Sequence, residues 1–306
     1  MTSIKQPVPP MDYLREIAHS TYGDVHTDAY LRRVRSYIRG QGGARSEIPA
    51  ITPEHIIALL ADADRAFQRW LSPLHTSAAE VIGASPESIA RALNHMHHQS
   101  SKLTMSNDAL LDNVVDLMGV ALDEGVPGDF IETGAWRGGV TILMRAVLSA
   151  FGRSAADAER SVWVADSFAG LPVPDPQSDL RDAISHHLMH AVDDLRSDLE
   201  SVRQAFARIG LLDARVHFLP GFFKDTLPTA PIERIALLRL DGDWYDSTRD
   251  AIEALYPRVS PGGFVIVDDY GLPTGCARAI DEYRAWHGID APLNAVGGQA
   301  VWWRKP

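Results

Sequence analysis

The sequence predicts an α/β fold whose core is a mostly parallel β-sheet, with a helical extension before it. From residue 128 onward, short β-rich runs alternate with helical patterns, which is typical of a sheet built from βαβ units. The runs IALLRL and FVIV are almost continuously apolar, as expected for strands that are covered on both faces. The last two runs, PLNAV and QAVWWRK, are joined by Gly297 and Gly298, which predicts a closing antiparallel hairpin.

The first part of the chain is predicted to be helical, with residues 1–98 as an extension and residues 99–306 as the second domain. Thr52 followed by Pro53 is the pattern of an N-cap and a first-turn proline, and a similar pattern begins at Ser85. The first of these helices is predicted to carry one apolar stripe, formed by Ile56, Leu60, Ala63, Phe67 and Trp70. Because apolar stripes must be buried, we expect the extension to pack on the second domain or on another copy of the chain. We predict a homo-oligomer, a dimer or larger.

The remaining elements are predicted in order along the chain. A helix is expected to begin after Asn107 and to stop at Gly125, ahead of a proline. Five strands follow in the segments GDFIETG, SVWVADS, RVHFLPG, RIALLRLD and GFVIVDD, with helices expected between them. In the final strand, Trp302 and Trp303 are predicted to contribute to the core rather than to a stacking surface.

Composition and charge exclude several classes of partner. The chain of 306 residues is 45% hydrophobic and 23% charged, which is ordinary for a globular protein with a substantial core. Its 29 basic and 40 acidic residues give a net charge of −11, which disfavours nucleic acid and anionic membrane surfaces as partners. Cys276 is the single cysteine, and the first residues contain no apolar segment of the signal-peptide kind. We therefore expect a cytoplasmic protein.

Acidic residues follow several of the predicted strands, at the edge of the sheet where open α/β folds bind ligands. Gly134 lies in a glycine-rich turn, IETGAWRGGV, that does not match the dinucleotide pattern GxGxxG. Glu132 suits a cationic amino-acid group, and Asp166 suits a ribose diol. An acid at each position favours a nucleoside without phosphates, such as S-adenosylmethionine. The alternative is that both acids only terminate their strands.

Three carboxylates at two further strand ends predict a metal site. Asp241 and the pair Asp268 and Asp269 follow strands that are roughly 5 Å apart if they are neighbours in the sheet. Carboxylates that close repel one another unless a cation lies between them, and an all-oxygen site suits Mg²⁺. The alternative is an ion-pair cluster with Arg239 or Arg249.

Five segments together resemble one known family, the macrocin O-methyltransferases. The segments are GDFIETGAWRGGVTILMRAVL, VWVADSFAGLP, FLPGFFKDTLP, LLRLDGDWYDST and PGGFVIVDDYG, in the family's order from about Ser100 to Arg304. Members are Mg²⁺-dependent enzymes that methylate sugar hydroxyls of macrolide and aminocoumarin antibiotics. The resemblance implies a Rossmann-like class I methyltransferase domain that binds S-adenosylmethionine. It leaves the role of the extension open.

The resemblance also implies a role for each candidate residue. The residues implied at the cofactor are Glu132, Thr133, Gly134, Asp166 and Ser167, with Gly221 and Phe222 near its adenine. The residues implied at Mg²⁺ are Asp241, Asp268 and Asp269. Asp243 is implied as the general base, which takes the proton of the acceptor hydroxyl. Asp246 is expected to be a residue of the first helical turn and nothing more.

One other acceptor, one function without catalysis and the role of the histidines stay open. The function predicted first is O-methylation of a sugar on a natural-product glycoside; the alternatives are a catechol-like diol and a cofactor-binding module without turnover. The polar segment 170–195 is predicted to be a lid that brings His186, His187 or His190 to the acceptor. The motifs HHLMH and HMHH have spacings that can bind metal, but solvated helix faces are the preferred interpretation.

Overall fold

A seven-stranded sheet forms the centre of the computed structural model, which describes residues 25–40, 50–97, 102–152, 154–190 and 195–306. The strands are β1 (Asp129–Thr133), β2 (Val162–Asp166), β3 (Val216–Pro220), β4 (Ile235–Leu240), β5 (Val259–Val267), β6 (Asn294–Val296) and β7 (Ala300–Arg304). Their order in the sheet is β3-β2-β1-β4-β5-β7-β6. Strands β1 to β5 are parallel, and β7 is antiparallel to both β5 and β6. The predicted α/β fold with a closing hairpin is confirmed.

Helices surround the sheet and precede it. In the described part of the chain, those before the sheet are α1 (Val25–Ile38), α2 (Pro53–Ala66), α3 (Gln68–Leu74), α4 (Ala78–Ile82), α5 (Pro86–His97) and α6 (Asp108–Asp123). Those after β1 are α7 (Gly139–Phe151), α8 (Ala155–Glu159), α9 (Leu180–His190), α10 (Leu199–Arg208), α11 (Phe223–Thr226), α12 (Tyr245–Leu255) and α13 (Cys276–Trp286). None of the described helices is long and apolar enough to cross a membrane.

Alternating strand residues pack against different helix layers, which explains why the strands are apolar along their length. One core cluster joins the sheet to α1, α6, α7 and α10 and includes Phe130, Val164, Leu237, Ile266 and Trp302. The other cluster joins the sheet to α12 and α13 and includes Ile131, Ala165, Leu238, Val267 and Trp303. Trp302 and Trp303 are both buried, as predicted, and they serve opposite faces of the sheet.

The N-terminal helices pack at two places on the rest of the chain. Helix α1 contributes Leu31, Val34 and Ile38 to the cluster that contains α7. Helices α2, α4 and α5 form a third apolar cluster that also takes in Ile184 and Leu188 of α9. Helices α2, α4 and α5 therefore bury their apolar faces against the segment that was predicted to be a lid. Residues 1–24, 41–49 and 98–101 of the extension and its junction lie outside the described residues.

The predicted helix starts are correct, but the first apolar stripe does not belong to one helix. The Thr52 hydroxyl accepts a hydrogen bond from the His55 amide and caps α2, and the Asn107 side chain caps α6. Helix α2 ends at Ala66, because Phe67 leaves the helical conformation with φ of −104° and ψ of 15°. The ring of Phe67 is still partly buried against the third cluster, so the apolar stripe continues into this cluster beyond the end of α2.

Candidate active site

A cavity of about 1190 Å³ opens at the carboxyl ends of the parallel strands. Loops after β1, β2, β4 and β5 form its floor, and α4, α5, α9 and the segment 170–175 form walls. The predicted site residues that line it are Glu132, Gly134, Asp166, Ser167, Phe222, Asp241, Asp243, Asp268 and Asp269. Thr133 and Gly221 lie beside it: the Thr133 hydroxyl donates to the Arg239 carbonyl at 3.3 Å, and the Gly221 amide donates to the Asp166 carbonyl at 2.9 Å.

Three carboxylates meet where β4 and β5 end. One oxygen each of Asp241, Asp243 and Asp269 lies within 4.8 Å of the others, an arrangement that can hold a metal ion. Asp243 adopts a left-handed backbone conformation with φ of 58°, which aspartate tolerates better than most residues. This conformation turns its amide toward Asp269, whose Oδ2 accepts it at 2.9 Å. The loop geometry thus ties the tip of β4 to the tip of β5.

Burial and mutual repulsion raise the pKa values of these three groups. Burial is the main cause for each, and the neighbouring carboxylates add to it. The pKa of Asp241 and that of Asp269 are raised well above the usual range, and the pKa of Asp243 is raised to about 7. Binding of a cation at the cluster is therefore expected to displace protons.

Arg239 neutralises a second group of acids on the floor of the cavity. Its guanidinium group, 1% exposed, donates from Nη1 to Glu132 Oε1 at 2.5 Å and to Asp241 Oδ2 at 2.6 Å. Nη2 donates to Asp268 Oδ1 at 2.6 Å and to Ser106 Oγ at 2.9 Å. The ion-pair cluster considered as an alternative from the sequence therefore exists alongside the carboxylate cluster.

The part of the cavity next to β1 and β2 has a tightly turned backbone. Asp166 accepts the Trp136 amide on Oδ2 and the Phe168 amide on Oδ1, both at 2.7 Å. Gly134 has φ of 86°, and a Cβ atom there would lie 1.5 Å from the Asp241 carbonyl oxygen. A side chain at this position is therefore impossible without separating β1 from the carboxylate loop. Burial raises the pKa of Glu132, whose Oε2 accepts the Thr141 hydroxyl.

The histidines of the predicted lid do not face the large cavity. His186, His187 and His190 line a separate cavity of about 390 Å³, where His187 Nε2 lies 3.0 Å from Asp62 Oδ2. Of the described histidines, the one that lines the large cavity is His95 of α5, in the motif HMHH, for which a solvated helix face was the preferred interpretation. Among the described residues, the cluster of Asp241, Asp243 and Asp269 is the group of three or more metal-ligating side chains that the structure brings together. The side chain of His97 and all of His98 lie outside the described part.

Comparison with known proteins agrees with the geometry. A family model described as macrocin O-methyltransferase (TylF) matches residues 62–305, so the match begins upstream of Ser100 and within the extension. A Streptomyces olivaceus enzyme named 8-demethyl-8-(2,3-dimethoxy-alpha-L-rhamnosyl)-tetracenomycin-C 4'-O-methyltransferase is 50% identical over 202 residues, 66% of this chain and 75% of that protein. Mycinamicin III 3''-O-methyltransferase from Micromonospora griseorubida is 46% identical over 203 residues, 66% of this chain and 78% of that protein.

A solved structure supports the same assignment. The O-methyltransferase NovP is 44% identical, with a TM-score of 0.63 over 67% of this chain and 82% of that chain. The fold, the acid-lined cavity at the strand ends and these similarities lead to one assignment: the chain belongs to the macrocin O-methyltransferase family and is an O-methyltransferase.

Proposed function

We propose that the protein transfers a methyl group from S-adenosylmethionine to a sugar hydroxyl of a natural-product glycoside, in a Mg²⁺-dependent reaction with Asp243 as the general base. The observation that carries this proposal is the cluster of Asp241, Asp243 and Asp269, of which Asp269 is buried and the other two are half-buried, inside the large cavity of a chain that belongs to the macrocin O-methyltransferase family. Relatives whose names specify a rhamnosyl tetracenomycin and mycinamicin III support a glycoside as the acceptor.

The β1 and β2 side of the cavity fits a nucleoside that carries no phosphate. Each oxygen of Asp166 accepts one backbone hydrogen bond and keeps a lone pair for the ribose hydroxyls. Ser167 and Phe222 line the same part of the cavity, and Phe222 is 37% exposed, so its ring is accessible to a base. Glu132 fits less directly, because Arg239 and Thr141 already occupy both of its oxygens. Its proposed contact with the cofactor's amino group uses the remaining lone pairs.

The β4 and β5 side fits a hard divalent cation. Its donor set is entirely carboxylate oxygen, which Mg²⁺ prefers. Asp241 and Asp269 offer oxygens within 4.8 Å of each other, and the raised pKa values show how costly their shared negative charge is without a cation. Asp268, the third proposed ligand, has Oδ1 bonded to Arg239 and would therefore bind through Oδ2.

The chain's own groups account for the remaining steps. S-adenosylmethionine would supply the methyl group, and Mg²⁺ held by Asp241, Asp268 and Asp269 would lower the pKa of the acceptor hydroxyl. Asp243 accepts the proton of the acceptor hydroxyl, and its pKa of about 7 is close to the value at which a carboxylate is an effective base at neutral pH. Arg239 holds Asp241 and Asp268 in place beneath the acceptor.

The outer walls of the cavity fit the apolar part of a glycoside. Helices α4 and α5 and the segment after β2 contribute Ile82, Ile89, Leu93, Leu171, Pro172 and Val173. A sugar ring at the carboxylates leaves its aglycone against this wall. The many acids of the lining disfavour a sugar nucleotide, because a diphosphate would meet like charge.

The test begins with the binding of S-adenosylmethionine to the full-length protein, measured by calorimetry. Mass spectrometry then detects methylated products from a panel of deoxysugar glycosides, catechols and sugar nucleotides, each with Mg²⁺. Methylated glycosides would support the proposal. Methylation of catechols alone would replace it with the aromatic alternative, and cofactor binding without any product across the panel would favour a binding module.

A further inference from the structure

Asp182 is a fully buried carboxylate in α9 that the proposed reaction does not use. Its Oδ2 accepts the Tyr245 amide at 2.6 Å, and its Oδ1 accepts the Gly275 amide at 2.7 Å. Tyr245 is the first residue of α12, and Gly275 is the N-cap of α13. One carboxylate therefore joins the beginnings of two helices.

Both helices lack an N-cap side chain of their own. The N-cap of α12 is Trp244, whose side chain makes no capping hydrogen bond, and the N-cap of α13 is a glycine. The first amides of a helix have no partner within it, and a negative charge near them is favourable. Asp182 supplies from a third helix an acceptor for one amide at each start, while the Thr274 hydroxyl accepts the Cys276 amide of α13 at 3.4 Å.

The two helix starts meet closely at this carboxylate. A Cβ atom on Gly275 would lie 2.5 Å from the Tyr245 Cβ and 2.6 Å from Asp182 Oδ2. No larger residue fits there without moving one of the two helices. The junction is therefore tight enough to transmit a displacement of α9 to both loops that precede the helices.

Other contacts hold Asp182 itself in place. Its amide donates to Asp179 Oδ1 at 3.0 Å, and Asp179 Oδ2 accepts Arg278 Nη2 of α13 at 3.0 Å. Elsewhere on α9, Ile184 and Leu188 are buried in the apolar cluster of the N-terminal helices. Helix α9 is thus fixed between the extension and the catalytic loops.

The loops joined by Asp182 carry the acids of the proposed site. Asp243 lies two residues before Tyr245, and Asp269 lies six residues before Gly275. We propose that Asp182 is a positioning residue for methyl transfer, which keeps these two loops at the separation where their carboxylates act on one metal ion and one acceptor. The inference rests on the proposed function for the roles of the two acids.

The primary test is Asp182→Asn, which keeps the size of the side chain but changes its hydrogen-bonding groups. An amide oxygen accepts one of the two backbone amides, while its NH₂ group faces the other donor. We expect the affinity of the apoprotein for Mn²⁺, measured by electron paramagnetic resonance, to fall by about tenfold or more, as for other supporting partners of metal ligands. The kcat should fall by a similar factor, while the Kd for S-adenosylmethionine changes by less than about twofold.

Asp129→Asn is the matched control for a loss of stability alone. Asp129 also accepts two donors, the Ser161 amide at 2.9 Å and Trp163 Nε1 at 2.8 Å, but it lies at the opposite end of β1 from the cavity. We expect it to lower Tm without changing Mn²⁺ affinity. If Asp182→Asn lowers Tm with Mn²⁺ affinity and kcat unchanged, as in this control, the residue is merely structural and the proposal is overturned.

Two further measurements keep the inference testable on its own. If Asp182→Asn does not fold, Gly275→Ala disturbs the same junction from the other side and should give the same loss of Mn²⁺ affinity; unchanged affinity overturns the proposal.

If the wild-type protein binds no Mn²⁺, the metal of the proposed function is wrong. Amide hydrogen exchange then decides: faster exchange at Tyr245 and Gly275 together with a lower kcat in Asp182→Asn supports positioning, and unchanged values overturn it.

Discussion

Replacing Arg239 with methionine tests whether one buried guanidinium group holds the acidic floor of the cavity together. The substitution keeps most of the volume but leaves the carboxylates of Glu132, Asp241 and Asp268 without their buried cation. Removal of one partner from a buried ion pair costs about 3–5 kcal/mol, because the other charge stays buried without compensation. With about 2–4 °C of Tm per kcal/mol for a chain of this size class, Tm should fall by about 6–20 °C.

The loss should depend on pH in a defined direction. Without the guanidinium, the pKa values of Glu132 and Asp241 in the folded state, already raised by burial, rise further above their unfolded values. A group whose folded pKa is raised favours folding below its unfolded pKa and loses that contribution as pH rises through the folded pKa. The difference in Tm between wild type and Arg239→Met should therefore be largest above neutral pH and shrink toward pH of about 4, near the unfolded pKa values.

Arg249→Met provides the matched control for this experiment. Arg249 also pairs with two carboxylates, Asp246 at 2.8 Å and Asp250 at 2.9 Å, but its side chain is 37% exposed. Exposed pairs contribute about 1 kcal/mol or less, so Tm should fall by only a few degrees. Scanning calorimetry across the pH range compares the two variants. If Arg239→Met melts within about 2 °C of Arg249→Met at pH of about 7, the reasoning on buried charge is refuted.

Three further results follow from the proposed site. Asp243→Asn should lower kcat by about 10²-fold to 10⁴-fold with cofactor affinity nearly unchanged, and retention of more than about a tenth of the activity would transfer the base role to another group. Excess EDTA should abolish activity and Mg²⁺ should restore it, and full activity in EDTA would rule the metal out. Metal affinity should rise as pH increases, because the pKa values of the proposed ligands Asp241 and Asp269 are raised well above the usual range and metal binding must displace their protons. Deletion of residues 1–95 should uncover the apolar residues Ile184 and Leu188 of α9 and change the solubility or the oligomeric mass; unchanged light-scattering mass, Tm and activity would show that the extension has no such role.

The strand positions could be predicted because burial on both faces leaves a strong sequence signal. Each of the five predicted parallel strands lies where an apolar run ends in an acid or a glycine, and the parallel direction of these strands brings their carboxyl ends to the same side of the sheet. The break after α2 could not be predicted, because Phe67 continues the apolar stripe in sequence while its backbone leaves the helix. The spacing of apolar residues does not show at which residue a helix ends when that residue packs against a cluster that is distant in sequence.

The ion-pair partners of Arg239 are distant in sequence, but the strand pattern contains a signal that could have predicted them. Glu132 is 107 residues away, and Asp268 is 29 residues away. An arginine inside the apolar run IALLRL is nevertheless unusual, and a buried arginine needs acidic partners. Glu132 is opposite Arg239 in the β1–β4 register, and Ile266, opposite Arg239 in β5, is two residues from Asp268 and so on the same face. The alternation of side chains between the two faces of the sheet therefore predicts that Arg239, Glu132 and Asp268 lie together on one face.

This alternation also places the adjacent carboxylates Asp268 and Asp269, at the end of β5, on opposite faces of the sheet. Their replacement by asparagine is therefore expected to change Tm in opposite directions. Asp268 lies on the face of Arg239 and stabilises it, so Asp268→Asn should lower Tm of the apoprotein. Asp269 lies on the other face, where burial and the charges of Asp243 and Asp241 raise its pKa well above the usual range. Asp269→Asn removes the cost of burying this carboxyl group, whether charged or protonated, and retains an oxygen for the Asp243 amide. It should therefore raise Tm at neutral pH while weakening Mn²⁺ binding more than Asp268→Asn does. Calorimetry and Mn²⁺ titration of both variants measure this, and a fall in Tm for Asp269→Asn equal to that for Asp268→Asn would contradict the separation of the two faces.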